Sequence, residues 1–176
     1  MDIEDSRKAE RVRAAVDRFS GPLTRYAQVI TGDLEQARDV VQDTFIRLCS
    51  EKPAKMNSHL TQWLFTVCRN RALDVQRKQR RTKPLNEQEM NSQASPDPSP
   101  AAQAERREMD GEVMFLLARL SKNQQEVVRL KFQSGLSYRE ISEVTHLSVS
   151  NVGFLMHTAL KTLRQQMKPE PIKRMS

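Results

Sequence analysis

Apolar residues recur at helical spacing along most of the chain. Over Ser6 to Phe19, the residues Val12, Ala15, Val16 and Phe19 share one face and predict a first helix. Gly21-Pro22 is expected to break it. Leu23, Tyr26, Ala27 and Ile30 predict a second helix, closed by Gly32 as C-cap with Asp33 as the next N-cap. The third helix, about Leu34 to Ser50, has a core face of Ala37, Val40, Val41, Thr44, Phe45 and Leu48. Asp39, Gln42, Asp43 and Arg47 point away from that face. Pro53 marks a loop over Glu51 to Asn57. A fourth helix, capped by Ser58, carries Leu60, Trp63, Leu64, Val67, Cys68, Arg71, Ala72 and Val75 and runs to about Arg81.

The pattern then stops. Residues 84–108 hold Pro84, Pro96, Pro98 and Pro100 among Asn, Gln, Ser and Ala. Such a stretch buries little and reads as a flexible linker. A second domain over 109–167 follows, and 168–176 is a basic tail. Val113, Leu116, Leu117 and Leu120 make its first helix. Ser121 caps the next, which carries Val127, Val128, Leu130 and Phe132. After Gly135, Ser137 and Glu140 fit a capping box for a short helix with Ile141 and Val144 inside. The turn Thr145-His146-Leu147 leads to Ser148, the cap of a longer helix striped by Val152, Met156, Ala159, Leu160 and Leu163. The fold class is therefore all-α: two small helical domains, 1–83 and 109–167, joined by a linker.

Composition agrees with this division. The chain has 176 residues, enough for one or two small domains, and only 5 glycines. Its net charge of +7 favours polyanionic partners. Cys49 and Cys68 sit in no metal-binding spacing, and both fall in helical apolar patterns that read as buried thiols in a reducing compartment. A redox switch is the alternative use. The acidic start Met1-Asp2-Ile3-Glu4-Asp5 has no apolar core for a secretory signal, and no run reaches membrane-span length. The expected location is the cytoplasm, with no membrane insertion.

Three stretches carry candidate chemistry. A short helix, a tight turn and a longer capped helix form a helix-turn-helix, whose second helix enters the major groove with its N-terminal residues leading. Ser150, Asn151, Phe154, His157 and Thr158 are the candidate base readers, while Lys161 and Arg164 suit phosphates and the cap Ser148 joins them at the DNA-facing end. A plain helical hairpin with a polar face is the simpler alternative. The second stretch holds Arg69, Arg71, Arg77, Lys78, Arg80, Arg81 and Lys83 against Asp74, just after Trp63 and Phe65. Cations for phosphates beside aromatic rings are what single-stranded nucleic acid needs, although Trp63 equally suits a core. The third is the patch Asp39, Gln42 and Asp43, which pattern alone leaves open between a solvated face and a protein-docking surface.

The segment Asp39-Val40-Val41-Gln42-Asp43-Thr44-Phe45 resembles the D-x-V-Q-[DE]-x-F run of sigma region 2. Trp63-Leu64-Phe65 with Arg69-Asn70-Arg71-Ala72-Leu73-Asp74 is similar to the run that follows it in that family. Leu120-Ser121, Gln124-Gln125-Glu126-Val127, Gly135 to Ile141 and Ser148-Val149-Ser150 resemble sigma region 4. Both sets, in order, make the chain resemble an extracytoplasmic-function (ECF) sigma factor. The resemblance implies a bacterial transcription initiation factor that binds core RNA polymerase and directs it to promoters. It implies docking of Asp39, Gln42 and Asp43 on the β′ clamp helices, which displaces the solvated-face reading, and a further contact with the β flap. It implies −10 recognition and melting by Lys55, Met56, Asn57, Ser58 and His59, with Trp63, Arg69, Asn70, Arg71, Arg77, Lys78, Arg80 and Arg81 along the strand. Region 4 would read the −35 element, the linker would thread towards the RNA exit path, and an anti-sigma factor is a further candidate partner.

Two departures stand out. Arg38 occupies a position where the family usually has Glu. The recognition helix reads Asn151-Val152-Gly153-Phe154-Leu155-Met156-His157-Thr158-Ala159 where T-V-K-S-R-L-H-R-A is common, so three customary basic positions are lost. Either an unusual −35 sequence is read, or region 4 binds weakly and leans on core polymerase. Phe154 and Leu155 are alternatively a protein contact for an inhibitor. A helix-turn-helix regulator that binds duplex DNA unaided is the competing class. For an enzyme there is no Ser-His-Asp set, P-loop, dinucleotide fingerprint or metal spacing, so no catalytic residue, metal or cofactor is assigned.

Overall fold

The computed structural model describes residues 3–51, 59–82 and 115–167. Every regular element among them is a helix. Helix α1 (Ile3–Thr31), α2 (Leu34–Ser50) and α3 (Leu60–Thr82) pack pairwise into an N-terminal bundle. A helical turn over 115–118 precedes α4 (Lys122–Phe132), α5 (Tyr138–Thr145) and α6 (Val149–Gln166), which pack together as a C-terminal unit. The expected loop after Glu51 with the cap Ser58 (52–58), the linker at 84–108, the start of the second domain at 109–114 and the tail at 168–176 lie outside the described residues.

The break expected at Gly21-Pro22 does not occur, because α1 runs through it as one helix of 29 residues. Pro22 removes one helical N–H, a defect of about 3 kcal/mol in an interior turn. The apolar face outweighs it: Ala15, Phe19, Leu23, Tyr26 and Ala27 keep one continuous spacing across the proline, and all are buried. Helix α1 ends where its chemistry says it should. Gly32 takes φ +76°, and its N–H reaches the Gln28 carbonyl at 2.8 Å. Asp33 then caps α2, its side chain accepting from the Gln36 N–H at 2.9 Å.

Ala37, Val40, Val41, Thr44 and Leu48 of α2 meet Leu64, Phe65, Cys68 and Ala72 of α3 in the bundle core. Tyr26 stands edge-on to Phe65, with ring centroids 5.3 Å apart. The two cysteines separate. Cys68 is buried as expected, and burial pushes its thiol up to about 12 against a hydrogen bond with Thr44. Cys49 is exposed, contrary to expectation. It follows Leu48 on α2 but lies off the buried stripe, at the mouth of an open groove with Val12 and Val16.

In the C-terminal unit all three expected caps form. Ser121 and Gln124 make a capping box on α4, Ser137 and Glu140 make one on α5, and Ser148 accepts from the Asn151 N–H on α6. His146 supplies the left-handed residue of the turn at φ 60°. The short α5 and longer α6 are thereby fixed as a helix-turn-helix around Ile141, Val144, Val152, Met156 and Ala159. Phe132, grouped by sequence with the apolar run of α4, is 65% exposed at its C-terminal end. The two units touch: α3 packs on α5, and the buried apolar residues of both halves form one cluster.

Candidate nucleic-acid interface

Helices α2 and α3 leave a groove between their outer edges. Trp63, Asn70, Arg71 and Asp74 line it from α3, and Asp43 and Arg47 line it from α2. Trp63 packs partly against the core and also borders this groove. Arg71 Nε donates to Asp43 Oδ2 at 2.7 Å. Asp43 is therefore half-turned away from the patch that sequence gives it, and Asp39 and Gln42 are the residues fully presented on the outer face of α2.

The basic run of α3 is unevenly presented. Arg80 and Arg81 are exposed in its last turn, where cations complement the helix dipole. Lys78 is also exposed. Arg77 pairs with Asp74 at 3.3 Å, both sides well hydrated. Arg69 points inward instead. Its Nε and Nη2 donate to the two carboxylate oxygens of Glu126 at 2.8 and 3.2 Å, and Tyr26 donates its hydroxyl to the same carboxylate at 2.7 Å. Burial works against the Arg69 charge, but the hydrogen bonds and charge of Glu126 outweigh it and raise the guanidinium pKa. Burial and Glu126 together hold the Tyr26 hydroxyl well above its usual range. His59 is exposed beside the start of α3 and lies close enough to Glu140 to favour that carboxylate. Lys55, Met56, Asn57 and Ser58 lie outside the described residues.

On α6, Ser150, Asn151, Phe154, His157, Lys161 and Arg164 are exposed on one side. His157, Lys161 and Arg164 border a shallow groove with Leu160 and Gln165. Two of the −35 candidates have their hydroxyls engaged within the protein. The Ser148 hydroxyl is the helix cap. The Thr158 hydroxyl donates to the Phe154 and Leu155 carbonyls and accepts from Gln124 Nε2 at 3.0 Å, which ties α6 to α4. Phe154 is 64% exposed, whereas Leu155 is half-buried against the core. Gly153 faces Tyr138 Cε2, and a Cβ there would sit 3.9 Å away in ordinary contact.

The residue that sequence reading missed is Glu126. Periodicity marks it only as a polar position on α4, and its partners lie 57 and 100 positions earlier in the chain. No local pattern reports such a contact.

Comparison with known proteins covers both halves. Residues 15–82 match Sigma-70 region 2, and residues 110–163 match Sigma-70, region 4. The chain is 30% identical over 168 residues to the ECF RNA polymerase sigma factor SigL of Mycobacterium tuberculosis, spanning 89% of each chain. It is 27% identical over 147 residues to the ECF RNA polymerase sigma factor SigM of Bacillus subtilis, covering 83% of this chain and 88% of that one. Among solved structures it is similar in fold to CnrH in complex with the cytosolic domain of CnrY, with a TM-score of 0.58 at 22% identity over 97% of this chain and 100% of that one.

Proposed function

The chain belongs to the ECF family of RNA polymerase sigma factors and is a promoter-specific transcription initiation factor, and on that premise we propose how its surfaces divide the work. The N-terminal domain, 1–83, docks on the β′ clamp helices through the outer face of α2 and engages the melted −10 strand through the loop at 55–59 and α3. The C-terminal domain, 109–167, reads the −35 element with α6 and meets the β flap. The linker 84–108 threads the polymerase between them, and the factor itself performs no nucleotide chemistry. Such a factor works in the cytoplasm, where the chromosome is. No helix among the described residues is long and apolar enough to cross a membrane.

One observation carries this reading most. Asp39 and Gln42 are exposed on α2, while the basic α3 with Trp63 and Asn70 lies across the adjoining groove. An acidic face for a protein and a basic face for a strand thus sit on neighbouring helices, as a factor that bridges polymerase and DNA needs. On the other domain, the exposed Ser150, Asn151, Phe154 and His157 supply hydrogen-bonding and apolar contacts for base edges. An anti-sigma factor is part of the same proposal, and the exposed Phe132 and Phe154 are apolar anchors for such a partner.

The test uses transcription with core polymerase. The purified chain is expected to bind promoter DNA poorly alone and to direct specific start sites once core enzyme is added. Asp39→Lys should weaken core binding by about tenfold or more, since like charge meets a complementary surface. Asp43→Lys tests the same face less cleanly, because it also breaks the pair with Arg71. Tight operator binding by the free chain, unaffected by core enzyme, would overturn the polymerase-dependent reading in favour of a stand-alone regulator.

A further inference from the structure

Beside the packing of α3 on α5, one acid bridges the two units. Glu126 of α4 sits between Arg69 of α3 and Tyr26 of α1 and bonds to both. The Arg69 and Glu126 side chains are only 16% and 18% exposed. Tyr26 is in turn fixed edge-on against Phe65, one helical turn before Arg69. The junction is thus rigid on the bundle side. A guanidinium fork bonded by two oxygens of one anion is the same geometry a DNA phosphate offers. Glu126 occupies Arg69 as a backbone phosphate would.

Geometry gives this contact a consequence. Elements named −35 and −10 lie about 25 base pairs apart, roughly 85 Å along B-form DNA at 3.4 Å per step. A packed chain of this size is on the order of 40 Å across. With α3 seated on α5, the two domains cannot reach both elements at once.

We propose that Glu126, clasping Arg69 and Tyr26, is an intramolecular latch that keeps the free factor closed and withholds Arg69 from DNA until the domains part. The latch itself is a property of the two domains; only the masking of a DNA contact rests on the functional reading above. Parting them requires a competitor for the closed contact, a role that core polymerase fills by binding each domain at a separate place. Removing Glu126 leaves Arg69 with no anion in a poorly hydrated position, so the variant relieves that burial by opening.

The experiment uses the full chain with spin labels at the exposed native Cys49 and at Gln165→Cys, and it reads the distance between them. The unsubstituted chain should give one short, narrow distribution. Glu126→Ala should shift the population to long, broad distances, and the exchanged pair Arg69→Glu with Glu126→Arg should restore the short one. In parallel, a labelled single-stranded dT12 oligonucleotide at low salt reports access to the strand-facing helix. Its affinity should rise about tenfold in Glu126→Ala, the inverse of the open fraction in the latched chain. Unchanged distances in Glu126→Ala, or an unsubstituted chain already spread over long distances, would overturn the latch. Circular dichroism with full helical content in Glu126→Ala separates opening from unfolding, and a variant that lengthens distances only by losing helix also counts against it. If the chain opens and dT12 affinity stays flat, the latch stands, and it is the assignment of Arg69 to the strand that fails.

Discussion

The two halves of the molecule present their charge in opposite ways. On α3 the cations are numerous, yet three are already spent on carboxylates: Arg69 on Glu126, Arg71 on Asp43 and Arg77 on Asp74. On α6 the cations are few, yet Lys161 and Arg164 are exposed beside the polar candidate readers Ser150, Asn151 and His157. Under the function proposed above, the first half thus brings many cations, of which only Arg69 is turned inward, and the second brings exposed polar side chains with few cations. Non-specific affinity comes from phosphate contacts and specificity from base edges, so under the proposed function the halves divide those two roles.

The sharpest way to break that division is to compare salt dependence with sequence dependence. Arg80→Ala and Arg81→Ala remove exposed cations from the end of α3. Each should weaken promoter binding by the polymerase holoenzyme across all sequences and flatten the log Kd against log salt slope by about 1. Asn151→Ala should leave that slope alone and cost about 1–3 kcal/mol against one base pair of the −35 element, relaxing preference there. A salt-slope change in Asn151→Ala, or base-specific loss in the arginine variants, would erase the distinction between the halves.

Most of this arrangement was legible in the sequence, for local reasons. Asp33, Ser121, Ser137 and Ser148 were readable as caps because a cap bonds within three residues of itself. The α2 stripe was readable because its apolar positions recur every turn. What misled was also local. Gly21-Pro22 carries a breaking signal, and only the burial of Leu23 and Tyr26 against α2 and α3 overrides it. Cys49 sits in an apolar-looking run, one position beyond the stripe that is buried. At the site, the exposed face of α6 follows from helical spacing, but the inward turn of Thr158 to Gln124 and of Arg69 to Glu126 depends on a neighbouring helix. Contacts across domains leave no period in the chain.

A smaller effect tests whether the C-terminal half gains its readiness from a slack recognition helix. Gly153 lies inside α6 with room for a Cβ, whose nearest neighbour would be Tyr138 Cε2 at 3.9 Å. Glycine in a helix interior is about 0.5–1 kcal/mol less favourable than alanine. Gly153→Ala should therefore raise stability by about that amount in a denaturant titration, with no repacking. If −35 reading uses flexing of α6 at this point, the same variant will bind its promoter more weakly despite being more stable. Equal or tighter binding would make Gly153 a neutral departure from the family pattern.

The smallest effect concerns acid. Glu140 closes the capping box of α5: it accepts from the Ser137 N–H at 2.8 Å and from the Ser137 hydroxyl at 2.7 Å. Those bonds favour the carboxylate and lower its pKa from the ordinary 4.5, with burial opposing and His59 and Lys131 assisting. A folded-state pKa below the unfolded one means that the protonated carboxyl is disfavoured by folding. The contribution is then complete above about pH 4.5 and is lost as the pH falls through the folded value. Glu140 is largely hydrated, so its share is small, on the order of 1–2 °C in Tm. Glu140→Gln should melt below the unsubstituted chain by that margin at pH 7, and the gap should close as the pH falls well below 4.5. Because His59 belongs to the N-terminal half, a gap that also shrinks in His59→Ala would trace part of it to the contact between the halves rather than to the cap alone.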